Sequence, residues 1–354
     1  VLKHFVEKDL DEAIHALGGL DREFAGKTII LTGAAGFLGR YFIGLFRKLN
    51  HSLHTPARVL ALDNFIASNG DDFGGLEDPH IQFIKHDAAT DLPVTIKPDF
   101  IIHAAGIASP FYYRKYPLET LDVAVIGTRK MLELAKIHGA RMLYFSSSEI
   151  YGDPDAANVP TRESYRGHVA SIGPRACYDE SKRLGETLCH IYCTEFGTQA
   201  NIVRPFNVYG PGMKENDYRV LPNFASRIAA GRPVRVYQDG KQTRTFCYIS
   251  DALNGFVRVL LNGRGGEAYN IGNPNPEVSM VQLYEHVQSV LPQPLEMEFI
   301  GYPDSYPADE PRRRCPDIFR ASEELGYKPQ VKLSDGLRRF FDWTRVHYRG
   351  VGQE

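Results

Sequence analysis

Apolar residues come in short blocks along this chain rather than at every second position. The runs "TIILTG", "ARVLALDNF", "IQFIKHDA", "DFIIHAAG", "RMLYFSSSE" and "QANIVRPFNVYG" read as strands. Between them, "FLGRYFIGLFRKL", "LETLDVAVIGTRKMLELAKIHG" and the segment containing "CYDESKRLGETLCHIYCTEFG" have helical spacing. Strands that are apolar along their whole length are buried on both faces, and alternation with helices predicts a parallel sheet covered on each side, an α/β fold. Ahead of this, Leu10, Ile14 and Leu17 share one face of a short helix that stops at Gly18-Gly19. Beyond "YGPG" the pattern breaks into short mixed elements rich in Pro and Gly.

With 354 residues the chain is long for one core and predicts roughly two domains. The expected boundaries are a helical extension over 1–25, a first domain over 26–204 and a smaller mixed α/β domain over 205–354, with part of 246–272 returning to the first. Charge changes the picture only by exclusion. The 41 basic and 43 acidic residues nearly cancel, which argues against nucleic acid and a membrane surface as partners. No apolar run is long enough for a bilayer span, and "VLKHFVEKDLDEAIHALGGL" lacks a secretory core, so the cytoplasm is the expected compartment. The five cysteines are odd in number and form no CxxC pair, so they are expected to be reduced thiols, with no metal.

The first chemistry-bearing motif is "TIILTGAAGFLGR", which sets Gly33, Gly36 and Gly39 between a strand and a helix. Glycines allow a tight turn and close approach to a pyrophosphate, and the helix N-terminus offers unpaired N–H groups. The motif makes the expected sheet Rossmann-type and doubly wound, with Phe37, Leu38, Ala104 and Ala105 counted among its cofactor contacts. Asp63 ends the next strand in "LALDNF", followed by Asn64 and Phe65; a carboxylate there accepts from ribose hydroxyls and repels a 2′-phosphate, which favours NAD over NADP. Asp87, followed by Ala88, either bonds the adenine edge or caps its own loop.

The second is "RACYDESKRLGE", where Tyr178 and Lys182 lie one helical turn apart on one face. A phenol cannot act as a base at neutral pH unaided; a nearby ammonium and a positive nicotinamide ring would stabilise its phenolate. YxxxK alone is a weak signal, but it stands downstream of the glycine loop and of the strand-end hydroxyls in "SSSE". With "HAAGIASPFYY", "SSSEIYGDP", "GHVASIGPRACYDESKR", "RPFNVYGP", "DGKQTRTFCYISD", "NIGNPNPEVSM" and "RRRCPDI", the chain from 27 to about 340 resembles the extended short-chain dehydrogenase/reductases of the nucleotide-sugar epimerase/dehydratase group, most of all the UDP-glucuronate decarboxylases.

That resemblance implies a carboxy-lyase that converts UDP-glucuronate to UDP-xylose through a 4-keto sugar, with NAD recycled internally. It assigns Tyr178, Lys182, Ser147, Ser148 and Glu149 to catalysis, and Glu149, Asn207, Arg219, Tyr237, Arg244 and Arg314 to the UDP-sugar. Dehydratases of the group carry an aspartate where Ser148 stands, and simple epimerases generally lack the glutamate. Glu149 then supports ring distortion or a proton-relay water; its plain alternative is a solvated strand-end carboxylate or helix cap. A homodimer through the helices around 117–138 and 176–196 is also implied, with Leu121, Val125, Leu132, Leu184 and Leu188 serving either that contact or the core. Ser147 in place of threonine, Ala124 in place of asparagine, "GIAS" in place of "SPAS", and the lack of basic residues in "NFIASNGDDFGG" depart from the decarboxylase pattern. They keep open a UDP-apiose/xylose synthase, a 4-epimerase, a 4,6-dehydratase on another sugar, and, more remotely, a non-catalytic NAD-binding regulator.

Overall fold

The computed structural model describes residues 5–68, 75–302 and 311–350. The chain opens with α1 (Glu7–Leu17) and then alternates β1 (Thr28–Thr32), α2 (Phe37–Asn50), β2 (Arg58–Asp63), β3 (Ile81–Lys85), β4 (Phe100–His103), α3 (Pro110–Lys115), α4 (Pro117–Asp122), α5 (Thr128–His138), β5 (Arg141–Phe145), α6 (Ala176–Phe196) and β6 (Gln199–Pro205). After these come β7 (Val208–Tyr209), α7 (Val220–Ala229), β8 (Val234–Tyr237), β9 (Thr243–Arg244), β10 (Cys247–Tyr248), α8 (Ile249–Asn262) and β11 (Ala268–Ile271). The last elements are β12 (Val278–Ser279), α9 (Met280–Val290), β13 (Met297–Ile300), β14 (Arg313–Arg314), α10 (Phe319–Leu325) and α11 (Leu333–His347).

Seven parallel strands form the central sheet in the order β3-β2-β1-β4-β5-β6-β11. Residue parity along each strand explains why both faces must be covered. Ile29, Leu31, Val59, Ala61, Leu143 and Phe145 point to a core shared with α2 and α8. Their neighbours Ile30, Leu60, Leu62, Met142 and Tyr144 point the other way, onto Met131 and Leu132 of α5 and Cys189 of α6. Leu132 is thus core. Leu121 and Leu184 are exposed, with Val125 and Leu188 half-buried. The order reverses between β1 and β4, and in open α/β sheets the crevice at such a point takes the ligand.

The helix expected as one piece from 118 to 139 is interrupted: residues 123–127 make a π turn between α4 and α5, with Ala124 buried inside it. One extra residue in the turn does not disturb the apolar spacing on either side, so the pattern gave no sign of it. The extension also holds a residue that amphipathic spacing does not explain. Asp9 of α1 is fully buried, accepts from Tyr248 Oη at 2.9 Å, and lies 3.3 Å from an Arg339 guanidinium of α11. Burial pushes its carboxyl up to about 6, against those two partners.

Outside the central sheet the strands are short: β7 with β10, β8 with β13, and β9 between β12 and β14. The register of β9 and β14 sets Arg244 beside Arg314. No helix among the described residues is long and apolar enough to cross a membrane. The expectation about the loop "NFIASNGDDFGG" falls partly outside the described residues.

Candidate active site

Two cavities open at the carboxyl end of the sheet, with no lining residue in common. The smaller, 150 Å³, is lined by Gly33, Gly36, Asp63, Asn64, Asp87, Ala88, Ala104 and Ala105, so that most of the expected cofactor residues surround one space. Gly33 sits at φ 71 with its Cα against Ala104 and Ala105; an added Cβ would lie 2.6 Å from Ala105 N. At Gly39 a Cβ would lie 2.2 Å from Gly33 O, backbone against backbone. The loop can therefore close tightly only as glycine. It delivers the chain into α2, whose N-cap Gly36 offers no capping side chain to the first-turn N–H groups. Asp63 accepts Ala35 N–H at 2.9 Å and Phe65 N–H at 2.8 Å, fastening the second strand's end to the loop; Phe65 takes φ 63 to do so.

The structure gives Asp87 a capping role as well as a place on the cavity wall. It accepts from Ala89 N at 2.9 Å and from Asn64 Nδ2 at 3.1 Å. Phe37 and Leu38 do not line the cavity: their side chains pack into the core, Phe37 edge-on to Tyr41 at 5.5 Å. Thr32 was not anticipated. Its hydroxyl accepts Ala105 N–H at 3.2 Å and meets His103 Nδ1 at 2.8 Å, joining the ends of β1 and β4 beneath the loop. A cradle closed to any Cβ, an uncapped helix start and a carboxylate at the end of β2 fit a dinucleotide. Gly39→Ala should weaken NAD binding by about tenfold or more, because α2 must move off the loop; calorimetric titration of the purified variant checks it, and unchanged affinity would contradict this account of the loop.

The larger cavity, 540 Å³, is lined by all six residues expected at the substrate: Glu149, Asn207, Arg219, Tyr237, Arg244 and Arg314. Asn207 takes φ 42 and donates to Thr245 O at 2.8 Å. Arg219 precedes α7 and its Nε lies 2.9 Å from Asp217 Oδ1. Tyr237 stacks on Tyr302 with ring centres 5.3 Å apart. Glu149 is not a solvated strand-end group. Arg314 grips it with two bonds of 2.6 Å, and Arg175, which the motif reading passed over, bonds the same carboxylate. Burial favours its protonation, but Arg175, Arg314 and Arg244 together hold its carboxyl well below the usual range. It is an anion throughout the neutral range.

Between the cavities lie Tyr178, Lys182 and Ser147. Ser147 caps the 3₁₀ turn 148–151, its hydroxyl accepting Glu149 N–H at 3.2 Å. Lys182 Nζ donates to Phe145 O at 2.7 Å and stands 5.8 Å from the Tyr178 ring centre. Burial pushes the Tyr178 phenol up to about 12, against the Ser147 hydroxyl, with the Glu149 charge adding to the rise. Burial also brings Lys182 down to about 8, opposed by Glu186. Tyr113 stacks face to face on Tyr178, 5.4 Å between centres and 12° between planes. Ser148 is buried in its turn and lines neither cavity.

Residues 29–272 match the NAD dependent epimerase/dehydratase family. The chain belongs to this family. It is 40% identical over 310 residues to UDP-glucuronic acid decarboxylase 6 of Arabidopsis thaliana, covering 87% of this chain and 86% of that one. UDP-glucuronic acid decarboxylase 1 of Xenopus tropicalis is also 40% identical, over 90% of this chain and 72% of its own. Among solved structures, UDP-glucuronic acid 4-epimerase of Bacillus cereus in complex with UDP-glucuronic acid and NAD superposes with a TM-score of 0.74 at 26% identity, covering 91% of this chain and all of that chain.

Membership makes NAD the cofactor, and the smaller cavity is the candidate place for it. In this epimerase/dehydratase member, Gly106 lines that cavity, and a Cβ there would come 2.9 Å from Lys182 Nζ. The departure "GIAS" thus falls against the lysine, while Ala108 of the same stretch lines the larger cavity. Arg175 could have been suspected, since it sits three residues before Tyr178, but nothing in the sequence shows that it turns back to Glu149.

Proposed function

We propose that this chain decarboxylates UDP-glucuronate to UDP-xylose through a 4-keto sugar, with net redox change of zero. The observation that carries the reading is the charge of the larger cavity. Among the described residues, Arg114, Lys115, Arg175, Arg219, Arg235, Arg244 and Arg314 line it against a single carboxylate, Glu149. Such a cleft suits a ligand with a diphosphate and a further carboxylate, and guanidinium forks bind both groups in the bidentate manner. Identity of 40% to UDP-glucuronic acid decarboxylases over most of both chains supports the same substrate.

Gly33, Gly36, Asp63 and their neighbours would hold NAD, which would supply a reversible acceptor for the 4-hydride. The chain's own groups handle the protons. Tyr178 takes the 4-hydroxyl proton, with the Ser147 hydroxyl assisting and Lys182 supplying positive charge nearby. Once the 4-position is a ketone, the carboxylate at the 5-position is β to it. The bond to the carboxyl carbon then breaks, carbon dioxide leaves, and the electron pair passes into an enolate that Tyr178 and Ser147 can stabilise by hydrogen bonding. The enolate is reprotonated at the 5-position. Glu149, held as an anion, cannot be the acid itself; it orients the ring or a relaying water. No water is expelled from the sugar, and Ser148 is suited to that, since a serine hydroxyl is too weak an acid to protonate a leaving hydroxide.

The test is incubation of purified protein with UDP-glucuronate and no added reductant, followed by mass spectrometry of the nucleotide sugars and measurement of carbon dioxide. Carbon dioxide with a UDP-pentose is expected, and proton NMR then separates xylose from apiose. An unchanged mass would overturn the reading; an epimer of unchanged mass would make the chain a 4-epimerase. We further propose a homodimer, supported by the exposed apolar residues Leu118, Leu121 and Ile126 and by Leu184 and Ile191 of α6. A cytoplasmic setting is proposed from five cysteines that form no disulfide.

A further inference from the structure

Lys182 is a buried ammonium with little to hold its charge. Its amine donates to Phe145 O and lies 5.3 Å from the Tyr144 ring centre. From β4 it faces His103, which burial keeps neutral, its imidazole brought down to about 3. The helix α4, packed alongside α6, contributes only the exposed Glu119 and Asp122 on the cofactor cavity's wall. On its own helix it has Tyr178 one turn before and Glu186 one turn after. Asp179, also on α6 and buried, is held 3.6 Å from the Arg175 guanidinium; Glu186, its side chain 13% exposed, is the carboxylate one helical turn after Lys182.

Glu186 is also fixed with unusual care. Ser146, the residue after the carbonyl that accepts the Lys182 hydrogen bond, donates its hydroxyl to Glu186 Oε1 at 2.5 Å. Arg204 of β6 grips both oxygens, Nε at 2.8 Å and Nη2 at 2.6 Å. Arg204 is fixed in turn by Tyr151 Oη at 2.6 Å, and Tyr151 donates to Asn270 Oδ1 at 2.8 Å in β11. Ser146, Tyr151, Arg204 and Asn270 are all buried. A buried ion pair is poor evidence for stability, since apolar residues in its place are often as good. A chain of satisfied polar groups ending one helical turn from Lys182 calls for another purpose.

We propose that Glu186 is a positioning residue of the reaction: held by Ser146 and Arg204, it keeps Lys182 protonated beside Tyr178. The bonds from Ser146 and from both nitrogens of Arg204 keep Glu186 from swinging toward Lys182, so that it acts from a fixed place one helical turn away. Ser146 keeps the carboxylate on the sheet side of α6. Without that charge the buried amine would shed its proton near neutrality, and the phenol would lose its cationic neighbour. The inference rests on the reading of Lys182 as the partner of Tyr178 and does not depend on which sugar is the substrate.

The test titrates Lys182 directly. Cofactor-free protein is labelled with trace acetic anhydride across pH 6–11 (an order-of-magnitude window around a lysine's range), and the acylation of Lys182 is read by peptide mass spectrometry. In Glu186→Gln the inflection should fall by about one pH unit relative to the wild type, the size expected for losing one nearby charge at protein-like screening. The alkaline limb of kcat should move down by the same amount. Because the single variant leaves Arg204 unpaired, Glu186→Gln/Arg204→Met is made alongside; it has no unpaired buried charge and should shift the inflection in the same direction. An inflection that stays in place in a folded variant, whatever its melting temperature, would overturn the proposal. Failure of the sugar assignment would appear instead as no turnover by the wild type, with the labelling result intact.

Discussion

Replacing Tyr178 with phenylalanine should lower turnover of UDP-glucuronate by about a thousandfold, the usual weight of a positioned proton-transfer group. The ring that stacks on Tyr113 is kept, so the fold and NAD binding should be unaffected. Only the hydroxyl is lost, and with it the place where the 4-hydroxyl proton would go. Carbon dioxide release at saturating substrate, with a calorimetric check of NAD affinity, measures the effect. A variant within tenfold of the wild type would remove Tyr178 from the chemistry and leave the Ser147 hydroxyl as the remaining candidate.

Glu149→Gln should be costly in a different way. The carboxylate is the counter-charge for Arg175 and Arg314, with Arg244 aligned beside the latter. Stripping one partner from a buried ion pair typically costs about 3–5 kcal/mol because the other charge stays behind, and here more than one cation is stranded. The pH dependence follows in sign. Because the fold depresses the Glu149 carboxyl below its ordinary 4.5, its contribution is complete above that value and is lost as the pH falls further. Urea unfolding should therefore show the wild type well ahead of Glu149→Gln at pH 7, with the gap closing below about pH 4. Equal stability at pH 7 would mean that the arginines find other partners. Activity should also fall, since loosened guanidinium groups no longer present a fixed fork to the substrate.

What could be read from the chain was local. Gly33, Gly36 and Gly39 are legible because a tight turn leaves its signature within a few residues. Tyr178 and Lys182 are legible because one helical turn fixes their separation. The pairing of Arg244 with Arg314 was not, because it depends on β9 and β14 meeting across a long stretch of chain. The same holds for Arg175 reaching Glu149 and for Thr32 meeting His103, contacts made by tertiary packing and not by spacing. Phe37 and Leu38 are the converse case: they belong to the glycine motif in sequence, and that their side chains serve the core is something the motif does not show. Leu132 and Leu184 look alike on paper; only the helices' placement makes one core and leaves the other facing outward.

The path of the chain through the central sheet has a consequence for how such a molecule can be taken apart or rebuilt. After β6 the backbone leaves, builds β7 to β10, and comes back through α8 to lay β11 on the sheet's edge. A fragment cut after residue 204 would keep the glycine loop and Tyr178 but bare the apolar flank of β6, an invitation to strand-on-strand aggregation. The substrate-facing pieces are better thought of as loops grown out of a nucleotide-binding frame than as a separable module. Exchanging those pieces between relatives, while leaving α8 and β11 in place, is the grafting route by which this scaffold could be given a different sugar.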